Sequence, residues 1–155
     1  MQKTPKIIKF FFKLVYDPRF LQIHGNDHST AKKKLREVMT HTQAHFCHES
    51  LGSQVKLKQK CQIEFLEDEN WPAENESLQK CGQVAQDRLG TADLLICFGY
   101  HSADAIPAPQ FGGVSYVGTV CNTALSRNFK CQLNMWWDDP STTAAVSILE
   151  YMKYL

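Results

Sequence analysis

An α/β layered domain is the fold class predicted by this sequence of 155 residues, and three observations predict it. Val55, Leu57, Gln59, Cys61, Ile63 and Phe65 alternate with Lys56, Lys58, Lys60, Gln62 and Glu64, the period-two pattern of a half-buried strand. Ala31, Leu35, Val38, Met39, Thr42 and Phe46 recur at spacings of three and four, which is one face of a helix. Ala92 to Phe98 is an unbroken apolar run, as expected of a strand buried on both faces. With the flanking elements, the order strand, helix, strand, helix, strand asks for helices layered on a sheet. The length is that of one domain, residues 1–155, with enough chain to bury its own core.

The elements follow in order. Ile7 to Val15 is aromatic and aliphatic and forms the first strand, which Tyr16-Asp17-Pro18-Arg19 ends because proline cannot continue a central ladder. A turn at Gly25-Asn26-Asp27 precedes the first helix, with Ser29 or Thr30 as its cap and Ser50-Leu51-Gly52 as its stop. The second strand is Val55 to Phe65. An acidic loop from Glu67 to Glu76 leads to Ser77, the cap of a helix that buries Leu78, Cys81, Val84, Ala85 and Leu89 and closes at Gly90. The third strand, Ala92 to Phe98, gives way to a loop from Gly99 to Gly112 containing Pro107 and Pro109. Gly112 to Gly118 is a short strand flanked by glycines, which suits a sheet edge. Asp139-Pro140 opens the final helix, with aspartate capping and proline at the first helical position.

Composition narrows the function. Lys plus Arg (17) nearly balances Asp plus Glu (16), so net charge asks for neither nucleic acid nor an anionic membrane. The lysine tracts at 32–34 and 56–60 read as solvated faces. No stretch reaches the roughly 18 apolar residues of a spanning helix. Ile7 to Val15 is cut by Lys9 and Lys13 and lacks a small-residue cleavage site, so no signal peptide is visible. Six cysteines (Cys47, Cys61, Cys81, Cys97, Cys121 and Cys131) suit an oxidising compartment and are expected to be at least partly paired, in a pattern the sequence leaves open. The sequon Asn75-Glu76-Ser77 agrees with secretion.

Several constellations have two readings. His41 and His45 share a helical face at a spacing a metal bridges, with Cys47, His48 and Glu49 nearby. The favoured reading is of solvent-facing imidazoles near a helix C-terminus, where protonated histidine suits the dipole. His101 is read as a loop residue rather than a ligand, and Cys47 and Cys61 as either core thiols or disulfide partners. Trp136-Trp137 is either a binding platform or packing beneath the last helix. No phosphate-cradling glycine loop or Ser-His-Asp arrangement stands out.

Taken together, Asp17-Pro18-Arg19-Phe20, Glu49-Ser50-Leu51-Gly52 with Val55-Lys56-Leu57, Glu76 to Cys81, Ala92-Asp93-Leu94-Leu95 and above all Gly113-Val114-Ser115-Tyr116-Val117-Gly118-Thr119-Val120-Cys121 carry a likeness over nearly the whole chain. They resemble the reprolysin (adamalysin) zinc metalloprotease domain. The resemblance implies a metzincin-like upper subdomain: a twisted mixed sheet of four or five strands with flanking helices, ending at the active-site helix. It also implies a secreted metalloendopeptidase lineage and a peptide or protein ligand. In the family the Gly113 to Val117 segment is the edge strand on which a substrate backbone pairs, which makes Gly113, Val114, Ser115, Tyr116 and Val117 the substrate-binding candidates. The corresponding region is cross-linked in the family, where the partner of Cys121 lies beyond this C-terminus; a link between Cys121 and Cys131 is the other geometric possibility.

Ser141 to Leu155 resembles the start of the family's A-A-x-x-x-H-E-x-x-H helix. Glu150 stands at the general base, while Leu149 and Lys153 occupy the two histidine positions. Zinc catalysis needs about three protein ligands and an open position. Leucine has no lone pair, and a lysine ammonium repels a cation. The expectation is therefore an inactive copy that binds no zinc, and the alternative is a pseudoprotease module that captures peptides on the 112–118 strand. With no residue after Leu155, a stripe of Ala145, Ile148, Leu149 and Met152 is expected to dock on the sheet. Tyr151, Tyr154 and Leu155 then stay wet and invite self-association.

Overall fold

The computed structural model describes residues 6–46, 55–67, 77–100, 113–116, 124, 126–136, 140 and 142–144. Strand β1 (Lys6–Tyr16) is followed by helices α1 (Pro18–Ile23) and α2 (His28–Phe46), strand β2 (Val55–Phe65), helix α3 (Ser77–Arg88) and strands β3 (Leu94–Tyr100), β4 (Gly113–Ser115) and β5 (Cys131–Trp136). The five strands form one sheet in the order β2-β1-β3-β5-β4. The β1–β2, β1–β3 and β3–β5 ladders are parallel, and β4 pairs antiparallel with β5 at the far edge. The α/β class, with helices flanking one sheet, is as the sequence predicts.

Strand alternation sends side chains to two cores. Phe12, Leu14 and Tyr16 of β1 and Leu94, Ile96 and Phe98 of β3 pack with Ala31, Leu35, Val38 and Met39 of α2. Val15, Leu95, Cys97, Cys131 and Leu133 face the opposite way and pack with Cys81, Val84, Ala85 and Leu89 around α3. Residues 94–99 are all buried, so β3 is covered on both faces as its unbroken apolar run predicts. Gly90, just past α3, has φ +58°, the left-handed geometry of a glycine that ends a helix.

Three details differ from the sequence reading. First, α2 is capped by Asp27, not by Ser29 or Thr30. Its carboxylate accepts from the Ser29 N–H (3.1 Å) and the Thr30 hydroxyl (2.7 Å), and its carbonyl accepts from the Ala31 N–H (3.0 Å). A carboxylate in this place meets the helix dipole as well as the free N–H groups, which a hydroxyl does less well. The Thr30 hydrogen bond, then that of Ser29, holds the Asp27 carboxyl below its ordinary pKa.

Second, Asp17-Pro18 does more than end β1. Asp17 is fully buried and its Oδ1 accepts from the Phe20 N–H at 2.8 Å, with Pro18 at the first position of α1. Third, Cys131 to Trp136, to which the sequence reading assigns no element, is an inner strand of the sheet between β3 and β4. Residue 140 and residues 142–144 are helical, in keeping with a helix opened near Asp139-Pro140. Among the described residues no helix is long and apolar enough to cross a membrane.

Candidate functional site at the β4 edge

Among the described residues, strand β4 is held from one side only. Gly113, Val114 and Ser115 lie opposite Asn134, Leu133 and Gln132 of β5, and β4 is the last strand in the sheet order. An end strand presents backbone N–H and C=O groups along its outer side, a template for a further strand. The opposite end strand, β2, carries exposed Lys58 and Lys60, the charges that discourage such pairing, whereas residues 113–116 carry no charge.

The strand beneath β4 is anchored by polar groups. Gln132 and Asn134 are both fully buried on β5. The Gln132 side-chain amide donates to Asn134 Oδ1 at 3.0 Å, and the Asn134 amide donates to the Thr143 carbonyl at 3.3 Å. That last bond ties β5 to the helical residues 142–144, where Ala144 is buried in the α2-side core. Buried amides stay only where they are hydrogen-bonded, so this chain of contacts fixes the sheet edge relative to the helix.

Tyr116 follows β4, half-buried, with its ring edge-on to Phe129 at 5.1 Å between centroids. Burial first and the Cys131 thiol second push its phenol pKa up. Cys131 lies under the same corner, where its thiol donates to the Asn128 carbonyl at 3.4 Å and points at the Leu78 carbonyl at 3.9 Å. Burial pushes the Cys131 pKa up from 9.0 to about 12.

A pH prediction follows from that burial. Between pH 9 and 12 the unfolded chain loses the Cys131 proton and the folded chain keeps it, so this contribution is intact below 9 and declines as pH rises toward 12. The slope is about 1.4 kcal/mol per pH unit. Cys61, Tyr16 and Tyr116 are also raised and act in the same direction. The Cys131 share is therefore read as the difference in urea midpoints between wild type and Cys131→Ala across alkaline pH. Parallel curves for the two proteins would contradict the assignment.

The remaining residues singled out by sequence are distributed as follows. Gly113, Val114 and Ser115 form β4, with Tyr116 next to it; Val117 lies outside the described residues. Glu150, Leu149 and Lys153 also lie outside them, as do Ala145, Ile148, Tyr151, Met152, Tyr154, Leu155, Cys47, His48, Glu49, His101, Cys121 and Trp137. His41 is exposed on α2 and His45 lies one turn along. Among the described residues no group of three His, Cys, Asp or Glu side chains is placed to hold a metal ion. Trp136 is buried rather than a platform: it packs edge-on against Phe20 and against His24, with centroids 5.5 and 5.1 Å apart.

Cys81 and Cys97 form a disulfide that ties α3 to β3, while Cys61 is an exposed thiol. Sequence reasoning missed Gln132, Asn134 and Thr143 as supports of the edge. The available signal was the alternation of Gln132 and Asn134 with Cys131 and Leu133, which marks a strand once polar residues are admitted to the core.

No family model and no curated protein matches this chain. Among solved structures, a chain in a structure described as that of a chaperone-substrate complex is similar over 90% of this chain, with a TM-score of 0.59 and 15% sequence identity. The match covers 25% of that longer chain, and at this identity the likeness shows the fold alone.

Proposed function

We propose that this chain is a reprolysin-like domain without peptidase activity that binds extended peptide or protein segments by adding them as a strand to β4. The observation that carries the reading is β4 itself: an uncharged end strand, antiparallel on a sheet whose other ladders are parallel, backed by a buried hydrogen-bonded strand. Such an edge offers main-chain hydrogen bonds for affinity, while neighbouring side chains select the ligand. Gly113, Val114, Ser115 and Tyr116 supply the binding edge, and the family resemblance adds Val117 to the substrate-binding residues. The metzincin-like reading is supported by the match between this end strand and the segment to which the family resemblance assigns substrate pairing. The similarity to a chain of a chaperone-substrate complex is in keeping with a protein ligand.

The donor set at the family's metal positions does not fit zinc. Leu149 offers no lone pair, Lys153 brings a positive charge, and Glu150 alone neither holds the ion nor activates water. The residues support binding without hydrolysis and no step through zinc. Secretion is part of the proposal, supported by six cysteines and a disulfide between two of them.

The test uses a six-residue extended peptide selected for binding from a display library. Methylation of alternate backbone nitrogens on one edge of the peptide is expected to weaken binding at least tenfold, the loss of two or more net hydrogen bonds of about 1 kcal/mol each. Methylation on the other edge should leave affinity unchanged. Equal effects from both edges would rule out strand addition. Incubation with zinc should give no chelator-sensitive cleavage of the same peptide, and cleavage would overturn the inactive reading.

A further inference from the structure

Along the first halves of β1 and β2 runs a basic groove that the peptide-binding proposal does not use. Parallel pairing puts Lys9 beside Lys58, Phe11 beside Lys60 and Lys13 beside Gln62. Paired residues point to the same face, here the one on which Phe11 packs against the α3-side core. Helix α3 reaches only part of this row. Lys13 lies within its reach: its side chain is 13% exposed, and its Nζ donates to the Arg88 carbonyl at 2.6 Å and stands 3.4 Å from the Glu64 carboxylate. Lys9, Lys58 and Lys60 are exposed, and among the described residues none of the three is ion-paired. With Phe11 and Asp93 they wall an open groove of about 300 Å³. Lys60 Nζ lies 5.0 Å from the Phe11 ring centroid, which holds the ammonium over an aromatic floor. Asp93 Oδ2 is engaged by the Phe11 N–H at 2.8 Å.

Register, charge and spacing together select a ligand. Lys9 and Lys58 are like charges on paired strands whose backbones run about 4.8 Å apart, an arrangement that destabilises the free chain. A carboxylate placed between them turns that repulsion into two attractions. Three lysines and one aspartate leave the groove a surplus of two positive charges, and the whole chain carries only +1. So small a field does not draw in nucleic acid or another dense polyanion, whose binding rests on many neutralised charges. It suits two carboxylates. Lys58 and Lys60 stand two residues apart along β2, a rise of about 6.6 Å, which is also the separation of same-side side chains in any extended segment.

We propose that this groove binds an extended acidic segment of a partner protein, in which two carboxylates two residues apart meet Lys58 and Lys60 and Lys9 closes on the first of them. The groove is built from β1 and β2, and β2 lies at the opposite end of the sheet order from β4. A segment held here therefore does not compete with one paired to β4.

The experiment is an NMR titration of the isotope-labelled full chain with a short polythreonine peptide carrying two glutamates, one residue apart from being adjacent. Shift changes are expected to centre on Lys9, Phe11, Lys58 and Lys60. Moving the glutamates to adjacent positions, where an extended backbone sends them to opposite sides, should weaken binding about threefold. Lys58→Gln and Lys60→Gln should each weaken it about two- to fivefold, the range of a single exposed ion pair. Lys33→Gln, at an exposed position of α2, should leave it unchanged. Lys58→Gln should not lower the urea midpoint, because it removes a like-charged neighbour of Lys9. Equal affinity for the two peptides, or unchanged affinity in both lysine variants, would overturn the proposal. So would tighter binding of an oligothymidylate of equal charge. Shift changes centred on β4 would support peptide pairing at that edge while overturning the groove, so the two proposals fail separately.

Discussion

Replacing Phe20 with alanine is expected to destabilise the domain by about 3–5 kcal/mol, the usual cost of emptying a fully buried aromatic site. Phe20 has no exposed surface and stands where four elements converge. Its ring centroid lies 5.7 Å from that of Tyr16 on β1, 4.4 Å from His24 after α1, 6.3 Å from Phe98 on β3 and 5.5 Å from Trp136 on β5. Alanine removes this centre, and rigid strands on three sides prevent the space from closing. Against a typical total stability of 5–15 kcal/mol, such a loss is visible as a large fall in the urea midpoint. Phe20→Leu keeps most of the volume and should cost less than about 1.5 kcal/mol. An alanine cost below 1 kcal/mol would mean that α1 is not docked on the sheet ends in solution.

Phe20 also shows why part of the fold was illegible. The dipeptide Asp17-Pro18 reads as a strand terminator, and so it is, but the same chemistry opens α1. The identical pair at Asp139-Pro140 reads as a helix start, with aspartate capping and proline at the first helical position, and the stretch Ser141 to Leu155 that follows resembles a known helix and leaves room for a helical period. A helix of six residues, Pro18–Ile23, is too short to display one. Length thus separates the two cases, since their local signals are alike.

Strand β5 was hidden for a different reason. Gln132 and Asn134 look like solvent-facing positions, yet both are fully buried, and Asn134 is bonded to the Thr143 carbonyl. A polar side chain enters the core when a partner waits there, and that partner comes from a segment nine residues away whose position only the fold supplies. The elements legible in the sequence need no such distant information. The alternation of β2, the apolar run of β3, the α2 face and the glycine after α3 are each set by neighbours within a few residues. The edge position of β4 was legible from its short length and flanking glycines. Its backing by buried amides was not.

Removing the Cys81–Cys97 disulfide is expected to cost about 3 kcal/mol, the loop entropy restored to an unfolded chain whose linked residues are 16 apart. The bond joins the inner face of α3 to the middle of the sheet, and both cysteines are fully buried. Reduction thus releases the helix from the strand it covers while leaving two thiols where no water reaches. The Cys81→Ala, Cys97→Ala double variant should show a lowered urea midpoint that reducing agent does not shift further. Wild type should fall to about the same midpoint once reduced. The third sulfur in this core, Cys131, makes the pairing itself testable, because it belongs to the same buried cluster as the bonded pair. Peptide mapping of the native chain should recover Cys81 joined to Cys97, and Cys131→Ala should keep both that bond and its share of stability. Recovery of Cys81 joined to Cys131 would reassign the link from α3–β3 to α3–β5, and with it which strand the helix holds in place beside the β4 edge.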